Sequence, residues 1–230
     1  MKHIFLTSSP FTHPGGLLND SNGFVSKFIN SLPQNPRALM ITSNPENVEF
    51  TEGFSNAIKF TCEITGIEFG SYTILDNRNK EKTKELVNIS DLIILAGGHT
   101  PTQNRFFNEI GLRDIIGDFD GTILGISAGS MNSADIVYAT PEEEGEAVDP
   151  SYEKFLPGLN LTKTMLIPHY QDVKDNVLDG KKLFEEVVYP DSIGREFVAI
   201  SDGSYLYSDG TNETIYGEAY LIKDGAIMEE

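Results

Sequence analysis

Five apolar runs, separated by stretches with helical character, dominate the first half of the chain. Lys2–Leu6, Arg37–Thr42, Ser71–Leu75, Leu92–Ala96 and Gly121–Ile126 each read as a strand. Leu92-Ile93-Ile94-Leu95-Ala96 is apolar without a break, as a strand covered on both faces must be. Gly23–Leu32, Phe54–Thr65 and Asn79–Ile89 read as the intervening helices, the first stopped by Pro33 and the second by Gly66. A further helix opens after Gly97-Gly98-His99 and runs to about Phe107. Repeated β-α alternation predicts a mainly parallel sheet with helices on both faces, a three-layer α/β/α sandwich. The second half differs. Asp172–Tyr189 reads as a helix. Glu196–Ser201, Ser204–Ser208, Thr214–Ile215 and Ala219–Lys223 read as short antiparallel strands completing or flanking the sheet, with turns at Asp202-Gly203, Asp209-Gly210 and Asp224-Gly225. No repeat, linker or abrupt change of composition divides residues 1–230, so a single domain is expected.

Composition narrows the partners. The net charge is −18, which argues against nucleic acid or an anionic membrane as a partner, since either needs a concentrated basic surface. No apolar run reaches the roughly 18 residues of a membrane span, and the start lacks the length and cleavage site of a signal peptide. A cytoplasmic location is expected. Cys62 is the only cysteine; it lies on an amphipathic helix and reads as a core residue rather than a nucleophile.

The chemistry centres on Gly125-Ile126-Ser127-Ala128-Gly129. A buried strand leads in and small residues lead out. That is what a sharp strand-to-helix turn presenting a serine hydroxyl requires. The N–H of Ala128 then lies at a helix start, where an oxyanion is favoured. A serine nucleophile needs a base, and the base an orienting carboxylate. Of the four histidines, His3 lies inside the first strand, while His13 and His99 lie in loops. His169 follows the apolar Met165-Leu166-Ile167-Pro168 and is the first choice for the base. If the carboxylate falls between serine and histidine, the acidic stretch Glu142 to Asp149 offers several candidates. A metal site is not expected, since no H-E-x-x-H or comparable spacing is present.

Taken in order, Leu95-Ala96-Gly97-Gly98-His99-Thr100, Gly125–Gly129, Val148-Asp149-Pro150 and Ile167-Pro168-His169-Tyr170 resemble the peptidase E family of serine peptidases, a group that includes the cyanophycinases. The resemblance implies a fold like that of the class I glutamine amidotransferases (flavodoxin-like). It implies Ser127 as nucleophile, His169 as base, and the N–H groups of Gly98 and Ala128 as oxyanion donors. Placing Val148-Asp149-Pro150 in register puts Glu144 at the orienting acid, with Glu142 and Glu143 as alternatives. His99, Thr100 and Gln103 would line the substrate pocket. No cofactor is implied. The expected substrates are small peptides: dipeptides with an N-terminal aspartate for peptidase E proper, β-aspartyl links for a cyanophycinase-like or isoaspartyl peptidase. The glycine loop departs from the family's Gly-Gly-Gly-Asn-Thr, which weakens the aspartate preference more than the hydrolase chemistry. A binding or regulatory protein that keeps the fold without turnover is the competing reading.

Overall fold

The computed structural model describes residues 2–13 and 16–228. Strands β1 (His3–Thr7), β2 (Arg37–Ile41), β3 (Ser71–Leu75), β4 (Leu92–Leu95) and β5 (Thr122–Ile126) form its parallel sheet, in the order β1-β5-β4-β2-β3. Side chains alternate across the sheet, and the two faces build two cores. Ile4, Leu6, Ile93, Leu95 and Ile123 pack against helices α3 (Thr83–Ile89), α4 (Thr100–Glu109) and α5 (Leu112–Ile116). Phe5, Met40, Leu92, Ile94 and Leu124 face α1 (Phe24–Asn30) and α2 (Val48–Ile64). Both sides of β4 are therefore covered, which is why its sequence shows no polar alternation. Cys62 sits in the α2 core at 0% exposure, and burial pushes its thiol up to about 12, so it is inert at neutral pH.

The strand assignments of the first half match the sequence reading to within a residue at each end. Helix α2 starts six residues earlier than expected, because Asn47 caps it by accepting a hydrogen bond from the Phe50 N–H at 3.0 Å. After β5 the chain makes the short helix α6 (Ala128–Met131) and then leaves the main sheet. Strands β6 (Ile136–Tyr138) and β7 (Phe155–Pro157) pair with each other, with the acidic turn between them. Strand β8 (Met165–Ile167) leads to α7 (Tyr170–Val173).

The helix expected over Asp172–Tyr189 is not formed as one piece. A hairpin of β9 (Val177–Leu178) and β10 (Lys181–Lys182) interrupts it. Asp179 and Gly180 turn that hairpin with φ of 53° and 78°, the left-handed geometry of a two-residue loop. A π-helical stretch, Leu183–Val188, and α8 (Tyr189–Asp191) then follow.

The terminal strands are divided between two sheets. Strand β12 (Tyr205–Ser208) adds antiparallel to β1 and carries β13 (Glu213–Tyr216) at its outer edge, completing a seven-stranded sheet. Strands β11 (Glu196–Ile200), β14 (Ala219–Lys223) and β15 (Ala226–Ile227) join β8 in a separate four-stranded sheet, in which β8 and β11 run parallel. A third apolar cluster, including Tyr138, Ile167, Phe184 and Phe197, holds this sheet. Tyr138 and Phe197 stack with ring centroids 4.1 Å apart. Parallel pairing sends β8 and β11 out at the same edge, beside the carboxyl end of β5. That places the residues following β5, β8 and β11 in one neighbourhood.

Candidate active site

Ser127 lies between β5 and α6 with φ 49° and ψ −111°, a backbone conformation that costs a non-glycine residue about 1–3 kcal/mol. Several contacts hold it there. The Ser127 N–H donates to the carbonyls of Thr7 and Ser8 at 3.1 Å, and its own carbonyl accepts from the Ser130 N–H at 2.8 Å. Small neighbours are obligatory: a Cβ on Gly129 would stand 2.2 Å from the Leu95 carbonyl oxygen.

The partners arrive from the second sheet. His169 follows β8 and Pro168 with φ 58°. Its Nε2 lies 2.9 Å from Ser127 Oγ, and its Nδ1 lies 2.8 Å from Asp202 Oδ1. With Nδ1–H donating to the carboxylate, Nε2 is the acceptor that faces the serine hydroxyl. Asp202 follows β11. Its Oδ1 also accepts from Ser8 Oγ at 2.6 Å, and Ser8 Oγ accepts from the His169 N–H at 2.7 Å. One serine after β1 thus ties the imidazole's backbone to its carboxylate. Burial pushes the Asp202 carboxyl up, but the hydrogen bonds from His169 and Ser8 outweigh it and leave the group below the usual aspartate range. Burial likewise disfavours the His169 cation, while the hydrogen bond to Asp202 and its charge hold the imidazole above its ordinary value of 6.5.

This geometry corrects the expected acid. The carboxylate at the imidazole is Asp202, not Glu144, Glu142 or Glu143. All three glutamates lie in the exposed turn between β6 and β7. Glu142 Oε1 accepts from Thr100 Oγ1 at 2.9 Å, and the amides of Glu142 and Glu143 both donate to Glu146 Oε2, at 2.8 and 2.9 Å. The acid was expected between serine and histidine. The carboxylate that meets the imidazole instead follows it in the chain, where Asp202-Gly203 looked like an ordinary turn. The available signal was position alone, an aspartate just after an apolar strand; that this strand pairs parallel with the histidine's own is a tertiary fact.

The glycine loop after β4 approaches the elbow closely. Gly98 has φ 147°, and a Cβ there would lie 2.3 Å from Ser43 Oγ. That hydroxyl donates to the Gly97 carbonyl at 2.6 Å and fixes the loop. Of the residues expected to line the substrate pocket, two face inward instead. Gln103 is buried: its Nε2 donates to the Ala96 carbonyl at 2.7 Å and its Oε1 accepts from Asn132 at 3.0 Å. Thr100 is buried against Met131 and Glu142. His99 is engaged by Thr102 Oγ1 at Nδ1 and by Glu146 Oε1 at Nε2, both at 2.8 Å. None of the three is among the residues that line the two cavities at Ser127. Of the other histidines, His3 Nδ1 lies 2.8 Å from Tyr207 Oη, away from the serine, whereas His13 borders the larger cavity described next.

Two cavities meet at Ser127 and His169. One, of about 840 Å³, runs along Ser8, Phe54, Ile58, Gly98 and Asp202. The other, of about 220 Å³, is a slot walled by Met131, Ile167, Val177, Leu178 and Leu183, with Thr140 and Glu142 in its lining. Neither has a lysine or arginine among its described lining residues. Two groups of residues bring potential metal-ligand atoms within 4.8 Å: His99, Glu143 and Glu146, and His169, Asp172 and Asp202. In both, the imidazole is already engaged by a carboxylate through a hydrogen bond.

A serine at an elbow, backed by an imidazole and a carboxylate on a flavodoxin-like, class I glutamine amidotransferase-like sheet, is the layout of a hydrolase. Residues 4–216 match the sequence profile of peptidase family S51, and the chain belongs to that family of serine-type peptidases. It is similar in structure to a peptidase from an acI-B1 Actinobacterium, with a TM-score of 0.68, 16% identity, and coverage of 99% of this chain and 93% of the other. It is also similar to a putative peptidase E protein from Listeria monocytogenes EGD-e, with a TM-score of 0.66, 19% identity, and coverage of 95% and 99%. No curated protein matches the chain. Among the described residues, no helix is long and apolar enough to cross a membrane.

Proposed function

We propose that the protein hydrolyses short peptides with Ser127 as nucleophile, His169 as general base and Asp202 as the carboxylate that orients it. The observation carrying this reading is the unbroken relay from Ser127 Oγ through both imidazole nitrogens to Asp202 Oδ1, at 2.9 and 2.8 Å. Ser127 Oγ attacks the scissile carbonyl carbon as Nε2 takes its proton. The tetrahedral oxyanion is held by the N–H groups of Ala128, at the start of α6, and Gly98, in the glycine loop. The imidazolium returns the proton to the departing amine, leaving an acyl-enzyme. Water, activated by the same imidazole, then releases the acid. Asp202 stays ionised throughout and stabilises the imidazolium.

The test is hydrolysis of a panel of dipeptides and aminoacyl anilides by the native protein and by Ser127→Ala. The expected loss is at least about 1,000-fold, in line with removal of a triad serine. A fluorophosphonate should label Ser127 in the native protein alone. Full activity in Ser127→Ala would overturn the reading.

A further inference from the structure

The small cavity beside Ser127 combines features that the hydrolytic steps do not use. Its walls are apolar, from Met131, Ile167, Val177 and Leu178, yet Glu142 and Thr140 also line it. Glu142 is exposed as a residue, and it stands in the lining of this cavity. Among the described residues its carboxylate accepts a single hydrogen bond, from Thr100 to Oε1, so Oε2 is available to a donor. Thr140 is 5% exposed, and its buried Oγ1 has no hydrogen-bond partner among the described residues. A buried hydroxyl without a partner and a carboxylate with a free oxygen, both in the lining of one cavity, leave hydrogen-bonding capacity that the described residues do not fill.

A cationic donor suits these groups best. Ionised carboxylate oxygens only accept, and a threonine hydroxyl accepts as well as donates. The cavity lining offers no lysine or arginine to neutralise Glu142. Burial already pushes the Glu142 carboxyl above its ordinary value, and a bound positive charge would relieve that cost. The site is also braced by hydrogen bonds. Glu146 Oε2 grips the amides of Glu142 and Glu143, and Asp179, in the β9–β10 turn, accepts from the amides of Gly145 and Ala147 at 2.8 and 3.0 Å. The hairpin that walls the slot is thereby pinned to the turn that carries the carboxylate. At about 220 Å³ the slot is smaller than the roughly 300–1,000 Å³ of drug-sized sites, which suits one amino-acid residue.

We propose that this slot is a cation subsite, in which Glu142 and Thr140 hold an ammonium or guanidinium group of the substrate, so that the enzyme favours positively charged peptides and disfavours an acidic residue there. The inference rests on the peptidase reading above and departs from an aspartate preference. The cation has two possible sources in a short peptide: the free N-terminal ammonium or a lysine or arginine side chain.

The experiment compares kcat/KM for leucine anilide, N-acetyl-leucine anilide, N-acetyl-lysine anilide and aspartate anilide. Leucine anilide exceeding its acetylated form by about tenfold or more identifies the N-terminal ammonium. N-acetyl-lysine anilide exceeding N-acetyl-leucine anilide by that factor identifies the side chain. In either case Glu142→Gln is expected to reduce the preference by about 10- to 100-fold, and Thr140→Val by about 2- to 10-fold, as charged and neutral hydrogen bonds allow. Aspartate anilide as the best substrate, or a preference that Glu142→Gln leaves in place, would overturn the proposal. Binding of lysinamide and leucinamide to Ser127→Ala, followed by calorimetry, tests the slot without turnover. Binding that is lost on adding Glu142→Gln supports the subsite even if no anilide is cleaved, a result that would count against the peptidase reading alone. Absence of binding to either amide overturns the subsite.

Discussion

At the scale of the residue, the acid of the triad separates two readings that differ in one measurement. Asp202→Asn should lower kcat by about 1,000- to 10,000-fold, because an amide in place of the carboxylate favours the wrong imidazole tautomer. Glu144→Gln, in the exposed turn, should leave kcat and KM within about twofold, as exposed substitutions usually do. The reverse pattern would return the role to the acidic turn. The pH profile follows from the same contacts. His169 must be neutral to accept the serine proton, and Asp202 holds it charged to a higher pH than a free imidazole. The acid limb of kcat/KM is therefore expected above pH 6.5, the ordinary imidazole value, and Asp202→Asn should move it down. Gly98 marks another residue-scale constraint. With φ at 147° and Ser43 Oγ 2.3 Å from where a Cβ would stand, Gly98→Ala must shift the loop that carries the proposed oxyanion donor. A fall in kcat of about 100-fold or more with little change in KM is expected, the signature of a lost oxyanion contact.

At the scale of the element, the elbow depends on α6 lying against β4. Gly129 allows that approach, and a methyl group there would press on the Leu95 carbonyl at 2.2 Å. Gly129→Ala should cost about 1–3 kcal/mol, a lowering of Tm by roughly 2–10 °C for a chain of this size, readable by calorimetry. The β9–β10 hairpin makes a different kind of contribution. It was expected to be part of a long helix, because Asp172–Tyr189 contains good helix formers and apolar residues at compatible spacing. Asp179-Gly180 was the contrary local signal, and the amides of Gly145 and Ala147, which bond Asp179, are tertiary partners that no local pattern displays. Asp179→Ala should loosen the slot wall and raise KM several-fold while changing kcat less, which steady-state kinetics would show. A larger effect on kcat than on KM would count against this role for the hairpin.

At the scale of the whole molecule, stability and activity have different pH windows. Because the folded His169 pKa is raised, its contribution to stability is fully present below 6.5 and is lost as pH rises through the folded value. Because the folded Asp202 pKa is lowered, its contribution is present above 3.8 and is lost as pH falls through the folded value. The Tm difference between native protein and Asp202→Asn should therefore be widest between about pH 4 and 6.5, below the range where catalysis is fastest. Both side chains are about one-third exposed, so solvent moderates the size of this effect. What the sequence determined by itself was the alternation of buried strands and amphipathic helices, and with it the parallel sheet, the elbow at Ser127 and the histidine, His169, that lies against it. Those features are local: a period of two or 3.6, a glycine pair around a serine, a histidine after an apolar run. What only the tertiary structure decided was which carboxylate meets the imidazole, which face Thr100 and Gln103 present, and that the terminal strands divide between two sheets. Asp202 lies 33 residues beyond His169 in the chain, and Ser8 lies 161 residues before it. Their meeting depends on the parallel pairing of β8 with β11 and on β1 lying beside β5. Long-range pairing of that kind leaves no periodic trace in the residues themselves.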